Sequence, residues 1–439
     1  MTKPLLLERA TIAGATPARP AAGTADATDV LLADGLVAAI GPDAAADPRT
    51  PSAERLDLDG YVLLPSAAEA HAHLDKALLA RRVANPTGDL QGAVDAVRSV
   101  YDSMDEADVT SRAVKALSTA LANGYTAVRS HADVQDELGT RSLRALLKLR
   151  ERIAGLIDLQ LVSLTGFPLA GAGRDGRHHR RLLTEAIDLG VDVVGGAPWL
   201  DPNPREAVAI LVRAAAEAGL PTDLHLDETT DASMLMLRVY ADEVARHGLG
   251  GRATASHCVS LGQQDPGTAR EIARTLADVG ISVVTLPQTN LYLQGRDDPT
   301  RTPRALTAVG TLREAGVTVA GGGDNWRDPF NPLGRIDPFE TASLLVAAAH
   351  LAPADAYDAV TAKARAALGL PPVAVEPGSP ADLLAVRAPS LDEAIAAAPQ
   401  DRIVLRAGRV VARTRVVRET VPDLNAAPGH APASNMETT

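Results

Sequence analysis

The chain has 439 residues with 46% apolar and 22% charged side chains, which excludes wholesale disorder and allows a large core built from Ala, Val and Leu, since aromatics make up only 3%. A net charge of −12 argues against a nucleic-acid binder, whose backbone contacts need clustered basic groups. The lone Cys258 excludes an internal disulfide framework and a cysteine-based zinc finger. No run approaches the ~18 apolar residues of a membrane helix, and the N-terminal apolar segment is too short for a secretory signal, so the expected compartment is the cytoplasm. Both a monomer and a homo-oligomer remain open.

The first sixty residues read as short strands and turns: Leu5-Leu6-Leu7, Val30-Leu31-Leu32 and Leu36 to Ile40, the last stopping at Gly41-Pro42. The Ala/Pro/Thr-rich segment Gly14–Ala27 between them reads as a surface loop. Between these strands and the C-terminal ones, short apolar runs alternate with amphipathic segments. Eight candidate strands are Val62–Ser66, Thr126–Asp133, Leu159–Phe167, Val191–Pro198, Thr222–Glu228, Ala253–Cys258, Ile281–Pro287 and Val317–Asp324. Each is followed by text of helical period, such as Arg205–Ala218, and several helices stop at a glycine, as at Gly219 and Gly280. Eight β-then-α units over roughly 300 residues fit a (β/α)8 barrel; periodicity alone leaves a doubly wound sheet open. Strand-like text returns at Ala381–Val386 and Arg402–Val411, which predicts one small β-domain assembled from both termini. The expected division is 1–61 and 373–421 for that domain, 62–372 for the barrel, and a disordered tail over 422–439.

Five of the ten histidines (71, 73, 131, 225 and 257) fall at predicted strand ends, where a parallel barrel places its catalytic groups. In His71-Ala72-His73 the two imidazoles share one side of an extended segment and can converge on one ion. His225 can add a third nitrogen and Asp324 a carboxylate, a donor set suited to Zn²⁺ or Fe²⁺ with a position left for water. Glu228, three residues beyond His225, is the candidate proton shuttle. A rival reading makes it an acid at the start of a helix beginning with Thr229-Thr230-Asp231. His257 is the candidate to polarise the water or the substrate. His178 and His179, in the Arg-rich stretch 174–181, read as solvated surface, and Cys258 as a small packed residue.

The text HAHLDK at 71–76, VRSHADV at 128–134, GVDVVGGAP at 190–198, HLDE at 225–228, NLYLQGR at 290–296 and DNWRDPFNPLG at 324–334 resembles the amidohydrolase superfamily, specifically its cytosine deaminase-like branch. The resemblance implies an α/β chain with a distorted (β/α)8 TIM barrel and a composite β-sandwich from both termini. It implies His71, His73, His225 and Asp324 as ligands of one divalent metal, because no lysine stands between Lys148 and Lys363 to bridge two. It also implies Glu228 as proton donor to a ring nitrogen, His257 as the residue orienting water, and Asp324 as acceptor of a water proton. Leu169, Asn325 and Trp326 are expected to face the substrate, a small nitrogen heterocycle. Leu169 stands where cytosine deaminases carry a ring-pairing glutamine and Asn325 where they carry a second Asp, which argues against cytosine itself. The expected reaction is hydrolytic deamination. Dealkylamination or cyclic-amide opening of a triazine-like or imide-like ring is the alternative. A silent barrel serving as a binding module is a remote one, because the expected ligand and acid–base positions are all filled.

Overall fold

The computed structural model describes residues 3–13, 27–417 and 419; the tail from Pro422 and all but the last residue of Gly14–Ala27 lie outside them. The first strands are β1 (Leu5–Ile12), β2 (Thr28–Ala33), β3 (Leu36–Ile40), β4 (Glu54–Asp57) and β5 (Val62–Pro65). Eight more follow: β6 (Ala67–Ala72), β7 (Tyr125–Val134), β8 (Asp158–Thr165), β9 (Val193–Gly196), β10 (Thr222–Leu226), β11 (Ala253–His257), β12 (Ile281–Thr285) and β13 (Val319–Gly321). The chain ends its regular structure with β14 (Leu383–Val386), β15 (Arg402–Arg406) and β16 (Arg409–Thr414).

Strands β6 to β13 form one parallel sheet in sequence order, with helices between them. The ring closes between β13 and β6 at one level, where Asp324 N donates to His71 O at 2.9 Å and Ala72 bridges Asp324. This is a distorted (β/α)8 barrel. The helices obey local capping chemistry. Asp105 accepts from Asp108 N at 2.8 Å to start the helix Glu106–Ala122, and Asp265 caps Pro266–Val279. Gly219 ends the helix Pro204–Ala218 at φ 69°, a left-handed turn that costs glycine no steric strain.

The remaining strands form the mixed sheet β16-β15-β14-β5-β1-β2-β3, with β4 beside β1. Strand β1 is shared by two leaves. Its first half pairs with β2 and β4, and Thr11–Ile12 pair with β5 after a register shift. Leu7, Val30 and Leu32 from one leaf pack on Leu63, Leu383, Ala385, Ile403 and Leu405 from the other, making the sandwich core. The alternate side chains Val62, Leu64, Leu384, Val386 and Val404 point the other way, into the large barrel core.

That two-sided burial corrects the first predicted strand. Val62–Pro65 belongs to the sandwich, antiparallel to β14, and the first barrel strand is Ala67–Ala72. An apolar run buried on both faces reads the same in either sheet. The changeover between the two sheets therefore falls at Ser66 rather than before Val62.

Candidate metal centre and active-site cavity

His71 is the fifth residue of β6, and His73 lies just past its end on the same side; His225 is on β10 and Asp324 follows β13. The structure brings these four together. His71 Nε2 lies 3.2 Å from His73 Nε2 and 3.2 Å from His225 Nε2, and the latter two are 3.3 Å apart. Asp324 Oδ1 is 3.1 Å from His73 Nε2 and 3.6 Å from His71 Nε2. Burial, reinforced by neighbouring imidazoles, holds His71 and His225 well below the usual imidazole range. Burial and then the Lys76 ammonium lower His73 to about 3. All three are neutral near pH 7, with lone pairs free to ligate.

Both oxygens of Asp324 are buried without a hydrogen-bond partner. An isolated buried carboxylate costs several kcal/mol. Three convergent nitrogens and this orphaned carboxylate fit one divalent cation, and their chemistry suits Zn²⁺ or Fe²⁺.

Beneath the cluster Glu69 accepts from His71 N at 3.1 Å and from Gly323 N at 3.0 Å, tying β6 to the segment that carries Asp324. Burial pushes Glu69 up to about 8.

Glu228 and His257 stand beside the cluster, with Glu228 Oε1 3.4 Å from His257 Nδ1. His257 Nδ1 also lies 3.0 Å from Asn290 Oδ1. A carbonyl oxygen only accepts, so Nδ1 carries the hydrogen and Nε2, which has no protein partner, keeps its lone pair. Burial, and then the Asp324 charge, push Glu228 well above the usual carboxyl range. Glu228 is not a helix-start acid: the next helix begins at Leu237. Its N-cap residue is Met236, and the acid that serves its first turn is Asp227, whose carboxylate accepts from Met236 N at 2.8 Å and Leu237 N at 3.1 Å. Asp227, at φ 52°, turns the chain so that its neighbour Glu228 lines the cavity.

His73, His225, Glu228, His257, Asp324 and Asn325 line one cavity. One wall is the helix Leu90–Arg98, inserted between β6 and Glu106–Ala122, which turns Leu90, Val94, Val97 and Arg98 inward at helical spacing. Phe167 and Phe330 add aromatic faces, and Tyr101, Asp133 and Gln135 add polar groups. Asn325 is anchored, accepting from Thr289 Oγ1 at 3.2 Å and donating to Asp328 Oδ2 at 2.9 Å.

Two expected substrate contacts lie elsewhere. Leu169 is 1% exposed and packs in the barrel core with Leu183 and Leu211, because the backbone N–H groups of Leu169 and Ala170 turn to Asp201. Trp326 is 1% exposed and packs in the core, its ring centroid 6.2 Å from that of Tyr125. His179 is also corrected. It is buried, with Nδ1 3.0 Å from Pro168 O, and only His178 is partly solvated. Cys258 is a packed core residue as read.

A model described as the amidohydrolase family matches residues 54–418. The chain belongs to this family. It is 37% identical to a pterin deaminase of Rhizobium rhizogenes over 392 residues, 88% of each chain. Among solved structures it is similar to 5-methylcytosine deaminase from Klebsiella pneumoniae, with TM-score 0.83, 29% identity and coverage of 95% and 99% of the two chains. It is also similar to N-isopropylammelide isopropylaminohydrolase from Burkholderia multivorans, with TM-score 0.78, 28% identity and coverage of 94% and 99%.

In this amidohydrolase the fourth barrel strand reads Val193-Val194-Gly195-Gly196 and carries no lysine. Sequence reading missed Glu69, Asn290 and the inward face of Leu90–Arg98. Asn290 lies inside the NLYLQGR text, and a polar residue one turn into a helix that follows a barrel strand was its only signal. No helix of the described residues is long and apolar enough to cross a membrane.

Proposed function

We propose that this amidohydrolase deaminates a nitrogen heterocycle hydrolytically, and that its substrate is a bicyclic, pterin-like ring bearing an exocyclic amine. The observation that carries the reading is the placement of buried Glu228 and His257, 3.4 Å apart, in the same cavity as His73, His225 and Asp324. The 37% identity to a pterin deaminase over 88% of both chains supports the substrate class. So do the apolar wall and the two phenylalanines that line the same cavity, which suit the faces of a flat ring.

His71, His73, His225 and Asp324 hold one divalent cation, Zn²⁺ or Fe²⁺. When bound, it supplies the acidity that makes water a nucleophile near pH 7. His257 Nε2 accepts a hydrogen bond from the attacking water and orients it. Asp324 takes a proton as the water oxygen bonds to the amine-bearing ring carbon. Glu228 in its protonated form delivers its proton to the adjacent ring nitrogen and regains one from the hydroxyl of the adduct as the carbonyl forms, while the proton held by Asp324 passes to the amine, which leaves as ammonia. Leu169 and Trp326 have no contact role in this scheme; Asn325 presents its amide to the ring.

The test is elemental analysis combined with an ammonia-release screen across pterins, pyrimidines, triazines and imidazolones. The expected outcome is close to one divalent ion per chain and ammonia released from pterins in preference to cytosine. Two tightly bound ions in the barrel would overturn the ligand set. Release of an alkylamine from triazines, with pterins untouched, would replace deamination by dealkylamination.

A further inference from the structure

Below the ligand cluster the barrel interior is polar, where barrels of this architecture pack branched aliphatic side chains. Arg129 on β7 donates from Nη1 to Asp223 Oδ2 at 2.9 Å, and from Nε and Nη2 to Gln160 Oε1 at 3.1 and 3.0 Å. Asp223 Oδ1 accepts from Ser256 Oγ at 2.7 Å, and Ser256 Oγ lies 3.0 Å from His71 Nδ1. Arg129, Asp223, Ser256 and His71 are each 2% exposed or less. Burying an Arg–Asp pair costs several kcal/mol per ion in desolvation, and a well-packed hydrophobic replacement is often as stable or more so. Stability alone is therefore a poor reason for this chain of groups to lie under a metal ligand.

We propose that Ser256 is a positioning residue for the cation site, the last link of a buried Arg129–Asp223–Ser256 relay that fixes the hydrogen and the orientation of His71. A hydroxyl has one hydrogen. Ser256 gives it to the Asp223 carboxylate, so toward His71 it accepts, and His71 Nδ1 must carry the ring hydrogen. The Nε2 lone pair is then directed at His73, His225 and Asp324. The strand register builds this. In the β10–β11 ladder His225 pairs with Ser256, and Asp223 lies two residues before His225 on the same face. His131, stacked on His71 with ring centroids 3.9 Å apart, restricts the ring plane, so the imidazole is held in both tilt and rotation. Partners of this kind on the far nitrogen of a ligating histidine typically govern ~10–100-fold in metal affinity.

The inference rests on the ligand set proposed above, and its test needs no substrate. Metal-free wild-type, Ser256→Ala and Ser256→Thr proteins are titrated with Zn²⁺ against a competing chelator, and the melting of each metal-free protein is recorded. Ser256→Ala should bind Zn²⁺ about 10–100-fold more weakly, Ser256→Thr should restore binding toward wild type, and the metal-free melting temperatures should stay close together. Wild-type affinity in Ser256→Ala, equal weakness in the Thr variant, or loss of metal-free stability matching the loss of affinity would overturn the relay. Failure of the wild-type chain itself to bind Zn²⁺ would overturn the ligand set, and the relay with it.

Discussion

At the floor of the cavity His71, His73, His225 and Asp324 project from barrel strand ends, and the backbone behind them is pinned by Glu69 and by the Asp324–His71 bond. On another wall Leu90 and Val94 come from an inserted nine-residue helix; both are half-buried, and neither joins any of the hydrophobic cores. The floor is polar, buried and held by the sheet; the wall is apolar, partly wetted and held by a connection. Such a split lets one scaffold keep its chemistry while its connections choose the ring that enters. A floor substitution should accordingly change turnover, and a wall substitution should change substrate preference.

The largest effect is expected at the floor. Glu228→Gln keeps shape and a hydrogen bond but cannot cycle a proton. Its turnover of a pterin substrate should fall by ~10²–10⁴-fold. Metal content and product binding should stay near wild type. Near-normal turnover in the metal-replete variant would show that another group moves the proton, Asp324 first among them, and would weaken the deaminase assignment.

The same contrast explains what could be read in the sequence. His71-x-His73, His225 and His257 stand out because imidazoles are scarce, ten in the chain, and strand ends are few; Asp324 stands out only by falling at such an end. The alternation of short apolar runs with helical text, and glycines such as Gly219, signalled the repeated β–α unit. The wall was illegible because Leu90, Val94 and Val97 at helical spacing read as any buried stripe, and nothing local says that the stripe faces a cavity. Leu169 and Trp326 failed in the opposite direction. Each stands within two residues of one that does line the cavity, Phe167 for Leu169 and Asn325 for Trp326, yet that short turn sends the side chain into the core. Val62–Leu64 misled for a third reason, since a strand buried on both faces has the same text in either sheet. His179 misled because its arginine neighbours are solvated while its own position faces Pro168.

At the wall, Val94→Trp places a bulky side chain in the cavity that the histidines also line. If the wall selects the second ring, KM for a pterin should rise about 10-fold or more with kcat little changed, the pattern of lost binding rather than lost chemistry. A monocyclic pyrimidine should be affected far less, and metal content should be unchanged. Equal losses on both substrates, or a fall in kcat alone, would mean that the helix supports the floor and does not select the ring.

An effect on stability rather than on turnover or binding is expected where floor and wall join. Asp328 is fully buried and accepts from Asn325 Nδ2 at 2.9 Å, next to Asp324, and from Phe330 N at 2.8 Å, on the wall. Burial pushes its carboxyl up to about 7, although those donors and the Lys76 ammonium pull the other way. In the unfolded chain the group titrates near its ordinary value of about 4. Between these two values the folded protein holds a proton that the unfolded chain has released, so stability is greatest below about pH 4 for this group and declines as pH rises toward 7. Each unit of separation corresponds to about 1.4 kcal/mol, so the effect amounts to a few kcal/mol at most. Asp328→Asn stays neutral throughout and keeps an oxygen for Phe330 N. Its melting temperature should therefore decline less than that of the wild type between pH 4 and 7. Asp227, raised to about 7, and Glu69, raised to about 8, leave a residual slope in both proteins, so the comparison is read as the difference between them. Parallel curves would show that Asp328 is ionised in the folded protein across that range, and that the joint is held by a charge rather than by a neutral acid.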